Sequence, residues 1–321
     1  MTEFELIQRF FTERQSSAPY IALGIGDDCA LLSTDRSATQ LAISTDMLVE
    51  GRHFFSGADA GLLGYKSLAV NLSDLAAMGA EPKAFTLALA LPQADALWLR
   101  SFSEGMFELA TQHGCRLIGG DTTKGPLNIC ITIFGEIPIG QALRRDAAKP
   151  GDDIWVSGHL GDARLALAAY SNQQILSGPD LEQAAQRLHA PTPRVALGMA
   201  LREVAHAAID LSDGLTGDLG HILERSKVGA TIWCDALPVG PVLAGQEQSL
   251  QYEFALAGGD DYELCFTAPR DSRAAVLNAA RVAATQVARI GYVETLPGLR
   301  LVDINNNPLT FTFNSFDHFQ S

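Results

Sequence analysis

Two α/β (α+β-like) domains in tandem are predicted, on three observations. The chain has 321 residues, about two domains at 100–200 residues each. Strand-like and helix-like apolar patterns mingle in both halves without the strict alternation of a βαβ array. Between the halves, PIGQALRRDAAKPGDD at 138–153 is polar, with two prolines and two glycines, and reads as the connection between domains. The expected division is 1–140 and 141–321.

The elements follow from spacing. Phe4, Ile7, Phe10 and Phe11 recur at helical intervals, so 4–17 reads as a short amphipathic helix. Apolar runs predict strands at 28–32, 41–45, 84–91 and 128–137. Helical periodicity covers 62–78 and 95–113, with Gly79 and Gly114 placed as stops. After the connection come a strand at 154–157, helices around 160–170 and 194–207, and a short strand at 207–211. A helix at 214–226 follows, then strands at 230–234, 262–267 and 286–293 around a helix at 272–284.

Composition narrows the class. Apolar residues are 47% and charged residues 19%, which fits a globular protein with a large core. No apolar run nears the ~18 residues of a membrane span, and MTEFELIQRFFTER lacks a signal-peptide core. Cytoplasmic residence without membrane association is expected. The cysteines (Cys29, Cys115, Cys130, Cys234, Cys265) are odd in number and never in CxxC spacing, against a disulfide framework or a zinc site. A net charge of −14 repels nucleic acid, and also any phosphate ligand that arrives without a divalent cation or a few placed bases.

Aspartates recur at short glycine- or serine-flanked stops: GIGDDCA (24–30), ISTD (43–46), NLSDLAAMG (71–79), GGDTT (119–123), IDLSDG (209–214) and GGDDYEL (258–264). Carboxylates where strands give way to loops pack a core poorly but hold hard cations well. ISTD ends an apolar run in two hydroxyls and a carboxylate. Ser67, Asn71 and Asp74 fall at i, i+4 and i+7, one polar stripe on a helix. Two glycines before Asp121 let a ligand approach the backbone. Asp210 and Asp213 flank Ser212 at a helix start, where backbone N–H groups can hold an anion. Each motif alone also reads as a turn, an N-cap or a solvated stripe. Gathered together, such carboxylates repel by about 4 kcal/mol per pair at ~4 Å and persist only beside divalent cations.

Other chemistries lack their signatures. GLLGYKS at 61–67 has no Gly-Lys pair for a Walker loop, and neither kinase HRD and DFG motifs nor a GxSxG turn occurs. Carboxylate-held Mg²⁺ bridging phosphate oxygens, with in-line phosphoryl transfer, accounts best for the pattern.

GIGDDCA, ISTDMLVEGRHF, LGYKSLAVNLSDLAAMGAEP, LIGGDTT, AIDLSDGL and GGDDYELCF stand in an order and spacing that resembles the thiamine-monophosphate kinases, of the aminoimidazole ribonucleotide synthetase superfamily. The resemblance runs from about residue 4 to 319. It implies a two-domain aminoimidazole ribonucleotide synthetase-like fold, with N-terminal sheets pairing across a homodimer. It also implies ATP and several Mg²⁺ between the domains, and phosphorylation of thiamine phosphate to thiamine diphosphate. Carried over by motif, Asp28, Ser44, Thr45, Asp46, Asp74, Asp121, Asp210 and Asp213 are the expected Mg²⁺ ligands. Gly120, Asp121, Arg145 and Ser212 are the expected ATP contacts, and His53, Asp260 and Phe316 the expected thiamine phosphate contacts. Asp260 stands where many members carry Glu, and Phe316 where a larger or hydroxylated aromatic is common, so substrate contacts depart most from the pattern. No nucleophilic side chain is required, because the acceptor phosphate is already ionised.

Related readings fit less well. A selenophosphate synthetase has a reactive Cys or selenocysteine near its N-terminus, and a hydrogenase maturation protein ends in a reactive Cys. Here the first cysteine is Cys29 and the chain ends Phe319-Gln320-Ser321. Aminoimidazole ribonucleotide synthetase is the nearest catalytic rival. From another class, a cation-binding or nucleotide-sensing protein is set against the spread of the acids over more than two hundred residues; calcium buffers gather theirs in one short loop.

Overall fold

The computed structural model describes residues 21–23, 27–33 and 38–311. The expected helix at 4–17 and Phe316 lie outside the described residues.

The first half builds one six-stranded sheet, in the order β1 (Ile21–Leu23), β2 (Ala30–Ser33), β3 (Thr39–Val49), β6 (Asn128–Pro138), β4 (Glu81–Leu91), β5 (Arg116–Lys124). Neighbours are antiparallel except β4 and β5. Helices α1 (Ala60–Ala77) and α2 (Ala96–Gln112) cover one face. α2 is amphipathic: Phe102, Met106, Leu109 and Ala110 form its buried stripe. α1 is buried around most of its circumference, with Lys66, Ser67, Asn71 and Ser73 buried alongside its leucines. It lies close against α2, where a Cβ on Gly64 would meet the Phe102 carbonyl oxygen at 2.0 Å.

The second half builds another six-stranded sheet, ordered β12 (Gly298–Val302), β9 (Gly229–Trp233), β11 (Val287–Glu294), β7 (Asp153–Ser157), β10 (Leu264–Ala268), β8 (Ala207–Asp210). Its helices are α3 (Asp162–Tyr170), α4 (Gly178–His189), α5 (Val195–Ala200), α6 (Leu215–Ser226), α7 (Gln248–Ala257) and α8 (Arg273–Val282). Side chains alternate across a strand, so this sheet serves two cores. Ile154, Val156, Ile209 and Cys265 pack with α6 and α7. Trp155, Ala208, Leu264 and Phe266 face the other way, into the cluster that holds Leu68, Leu72 and Phe85 of the first half. The two halves therefore share a continuous apolar core, with α1 at the seam.

Several expectations shift. The helix expected at 194–207 is helical only over Val195–Ala200, and Glu203 then takes a left-handed φ of 62°. α4, α7, β1 and β12 were not anticipated as elements, and β5 only as a strand ending at Asp121. β3 runs to Val49 and β5 from Arg116 to Lys124. Asp46 and Asp121 thus sit within strands, not at strand ends: polar side chains on one face do not stop a strand whose backbone is paired on both sides, as β3 is.

Candidate active site

Asp46 reaches the helix-covered face of the first sheet. Ser44, two residues earlier and on the same face, donates a very short hydrogen bond from Oγ to the Asp74 carboxylate on α1, and Asp46 touches Asp74 as well. β8 from the second half ends at Asp210, beside Ser73 and Asp28. A carboxylate oxygen from each of Asp28, Asp74 and Asp210 falls within 4.8 Å of the others. Residues drawn from nearly two hundred positions of sequence meet at one point.

The electrostatics are severe. Burial, then Asp46 and Asp210, push Asp74 well above the carboxylate range. Burial and Asp28 do the same to Asp210. Burial raises Asp46 to about 6, and burial with Asp28 raises Asp27 to about 7. Asp74 also lies in the last turn of α1, where the helix dipole disfavours an anion and favours a cation. Among the described residues, Arg145 is the base ion-paired with this group. Its Nε and Nη2 donate to the two oxygens of Asp28 at 2.9 and 2.7 Å, and its backbone N–H to Asp27 at 3.1 Å. Burial opposes the guanidinium's charge, but Asp28 and Asp27 raise its pKa. The donor set is hard oxygen, anionic and crowded, and it fits Mg²⁺.

The loop after β8 carries Ser212 and Asp213 into α6. The N-cap of that helix is Gly214, which has no side chain to offer. Asp218, one turn inside α6 and 3% exposed, accepts from the N–H groups of Asp213 and Gly214, both at 3.1 Å. The sequence reading missed Asp218; an acid one turn into a helix after a Ser-Asp-Gly loop was the available signal.

Thr45 and Asp121 lie elsewhere. Thr45 points to the uncovered face of the sheet, where its Oγ1 meets Thr132 Oγ1 at 2.9 Å. Met47, Cys130, Ala88 and Asp121 form one cross-strand row on that same face. Asp121 is thus on the opposite face from Asp46 and three strand spacings away, about 14 Å. One copy of the chain does not bring it to the cluster, because strand pairing fixes its face and row. Gly120 also has a structural reason to be glycine: a Cβ there would meet the Leu87 carbonyl oxygen at 1.9 Å. Close pairing of β5 with β4 accounts for it, in place of the open approach expected from sequence.

His53 and Asp260 line a single cavity of about 390 Å³ together with Phe54, Phe55, Lys66, Tyr170 and His189. His53 Nδ1 accepts from the Val49 N–H at 3.0 Å. Lys66, 5% exposed on α1, donates to Asp260 at 2.5 Å, and its ammonium lies 5.9 Å from the centre of the Tyr262 ring. Burial first, then Asp260, Asp46, Asp210 and Asp213, push the Tyr262 hydroxyl upward. Lys66 and Tyr262 were missed as site residues, though both stand inside the motifs that were singled out.

Residues 26–137 match the AIR synthase related protein N-terminal domain, and 149–304 match its C-terminal domain. A thiamine-monophosphate kinase from Salmonella typhimurium is 48% identical over 320 residues, covering 99% of this chain and 98% of its own. The crystal structure of a thiamine-monophosphate kinase from Stenotrophomonas maltophilia superposes with a TM-score of 0.80 at 48% identity, over 93% of this chain and 96% of that one. AaThiL complexed with AMPPCP and TMP superposes with a TM-score of 0.85 at 29% identity, over 99% and 97%. With both domains matched and nearly full-length identity on this scale, the chain belongs to the thiamine-monophosphate kinases, within the AIR synthase related proteins.

Proposed function

We propose that the chain transfers the γ-phosphoryl group of ATP directly to thiamine monophosphate, yielding thiamine diphosphate. The observation that carries this reading is the meeting of Asp28, Ser44, Asp46, Asp74 and Asp210 beside a cavity lined by His53 and Asp260. The related AaThiL was solved with AMPPCP and TMP.

Asp28, Asp46, Asp74 and Asp210, with Ser44, would hold Mg²⁺. When bound, the ions screen the charge of two mutually repelling phosphates. The chain's own residues do the rest. Arg145 has a planar fork suited to phosphate oxygens, and Asp218 holds the Ser212–Gly214 loop in place through the N–H groups of Asp213 and Gly214. The cavity suits thiamine, whose thiazolium is cationic: Phe54, Phe55 and Tyr170 offer ring faces, and Asp260 offers a carboxylate. The acceptor oxygen is ionised near neutral pH, so no side chain has to remove a proton. Holding it in line with the γ-phosphate is the catalytic task.

The working unit is read as a homodimer joined through the first sheet. All of β5 is exposed at the sheet edge, and the uncovered face carries Met47 at 53% exposure beside Thr45. Ile118, on β5, is 65% exposed. Pairing of two such faces would bring Asp121 of one copy towards Thr45 of the other. Among the described residues, no helix is long and apolar enough to cross a membrane; with five free cysteines, the cytoplasm is the proposed compartment. Measurement of ADP release with and without thiamine monophosphate tests the reaction. ADP release indifferent to the acceptor would overturn it.

A further inference from the structure

The second half contributes separate segments to a cavity otherwise walled by residues 51–59 and α1 of the first half, and one buried carboxylate ties two of those segments together. Glu263, 0% exposed, directly precedes β10. Its two oxygens accept from Arg187 Nη2 at 2.7 Å, from Arg194 Nε and Nη2 at 2.6 Å each, and from Ser157 Oγ at 2.6 Å. Space for it is built in: a Cβ on Gly158, at φ 56°, would lie 2.1 Å from Glu263 Oε1. An ionised carboxylate is retained in a protein interior when it is paired and fully hydrogen-bonded in this manner.

Arg187 belongs to α4, and the next two residues, Leu188 and His189, line the cavity. The same Arg187 Nη2 also donates to the Asp261 carbonyl oxygen at 3.1 Å, and the Asp261 carboxylate accepts from the Gly161 N–H at 2.9 Å. On either side of Asp261, the backbone is left-handed without glycine: φ is 66° at Asp260 and 49° at Tyr262. Side chains adopt that region only when their surroundings enforce it. Here enforcement comes from Glu263 and Arg187 on one side. On the other it comes from the Ser212 and Leu211 carbonyls, which accept from the N–H groups of Asp260 at 2.9 Å and Tyr262 at 2.8 Å. The strained loop delivers Asp260 to the cavity and to Lys66.

We propose that Glu263, gripped by Arg187 and Arg194, positions two segments of the cavity wall, the end of α4 and the Asp260 loop, and so sets affinity for the phosphate-bearing acceptor. This rests on the reading of the cavity as the acceptor's site. Glu263, Arg187 and Arg194 are positioning residues; they act through Asp260 and His189.

Arg187→Gln tests it, since Arg194 continues to neutralise Glu263 and the fold is retained. The KM for thiamine monophosphate rises about tenfold, as expected for a displaced binding group, while the KM for ATP and kcat at saturating acceptor stay close to wild type. Arg187→Lys recovers most of the loss, because a single nitrogen of Arg187 serves both acceptors. An unchanged acceptor KM with a lowered Tm assigns the cluster to packing alone and overturns the proposal, as does an equal rise in both KM values. No acceptor-dependent ADP release from wild type removes the reading of the cavity, and this proposal with it. Acceptor-dependent release by wild type with an unmoved KM in Arg187→Gln removes the proposal alone.

Discussion

The guanidinium of Arg145 grips both carboxylate oxygens of Asp28, 117 positions away, at 2.9 and 2.7 Å. This contact joins the connection between the halves to the first acidic motif, and it supplies positive charge to the edge of the carboxylate cluster. Replacing Arg145 by Met leaves Asp28 buried without its partner, at a cost of about 3 kcal/mol. Urea denaturation in chelator reads that loss. Phosphoryl transfer falls by about a hundredfold or more, and Arg145→Lys does not restore it, because an ammonium lacks the planar fork.

Asp46→Asn separates function from stability. The neutral amide removes one of the carboxylates that repel at Asp74, so the chelated protein is at least as stable as wild type in urea. Turnover at saturating Mg²⁺ falls by at least about a hundredfold. Near-normal turnover would rule out a ligand role for Asp46.

Stability and metal should be linked through pH. Burial raises Asp46 to about 6 and, with Asp28, Asp27 to about 7, from an ordinary 3.8. A carboxyl raised in the folded state favours folding at low pH, and that contribution is lost as pH rises through the folded pKa. Between pH 5.5 and 7.5 the chelated protein loses this stability. The increase in Tm on adding Mg²⁺ should therefore grow across the window. His113, His189 and His221, lowered by burial, act in the opposite sense below their ordinary value, but with and without metal alike. A Tm increment that is flat with pH would contradict the linkage.

Asp121 gives a test of assembly. On the proposed homodimer, Asp46→Asn and Asp121→Asn are each expected to be inactive alone. Unfolding and refolding them together forms mixed dimers in which one site receives both native carboxylates, so turnover reappears. If the two act within one chain, mixing restores nothing.

Much of the site was legible because motif chemistry is local. The run ISTD carries its hydroxyls and carboxylate wherever it folds, and alternation on β3 then sends Ser44 and Asp46 to one face and Thr45 to the other. Gly79 and Gly114 marked the ends of α1 and α2 within two residues of where they fall, since only glycine takes a left-handed φ freely. Less was legible where the partner is remote. β5 reads from RLI as a strand that stops at Asp121, because pairing with β4, not propensity, carries it on to Lys124. α4 is polar for most of its length and buries only Ala184, Ala185 and Leu188. Glu263 was not singled out, because its partners Arg187 and Arg194 stand 76 and 69 positions away.

Residue order alone determined the division into two α/β halves, the hard-oxygen chemistry of the acidic motifs and the family they resemble. Those depend on composition and short-range spacing, which survive in an unfolded chain. Which acids meet was decided in three dimensions. Sheet register put Asp46 against α1 and turned Asp121 to the far face, while the core shared by the two halves carried Asp210 up to Asp28 and Asp74. Apolar burial drives that closure, and it is strong enough to hold like charges together whose repulsion would otherwise part them.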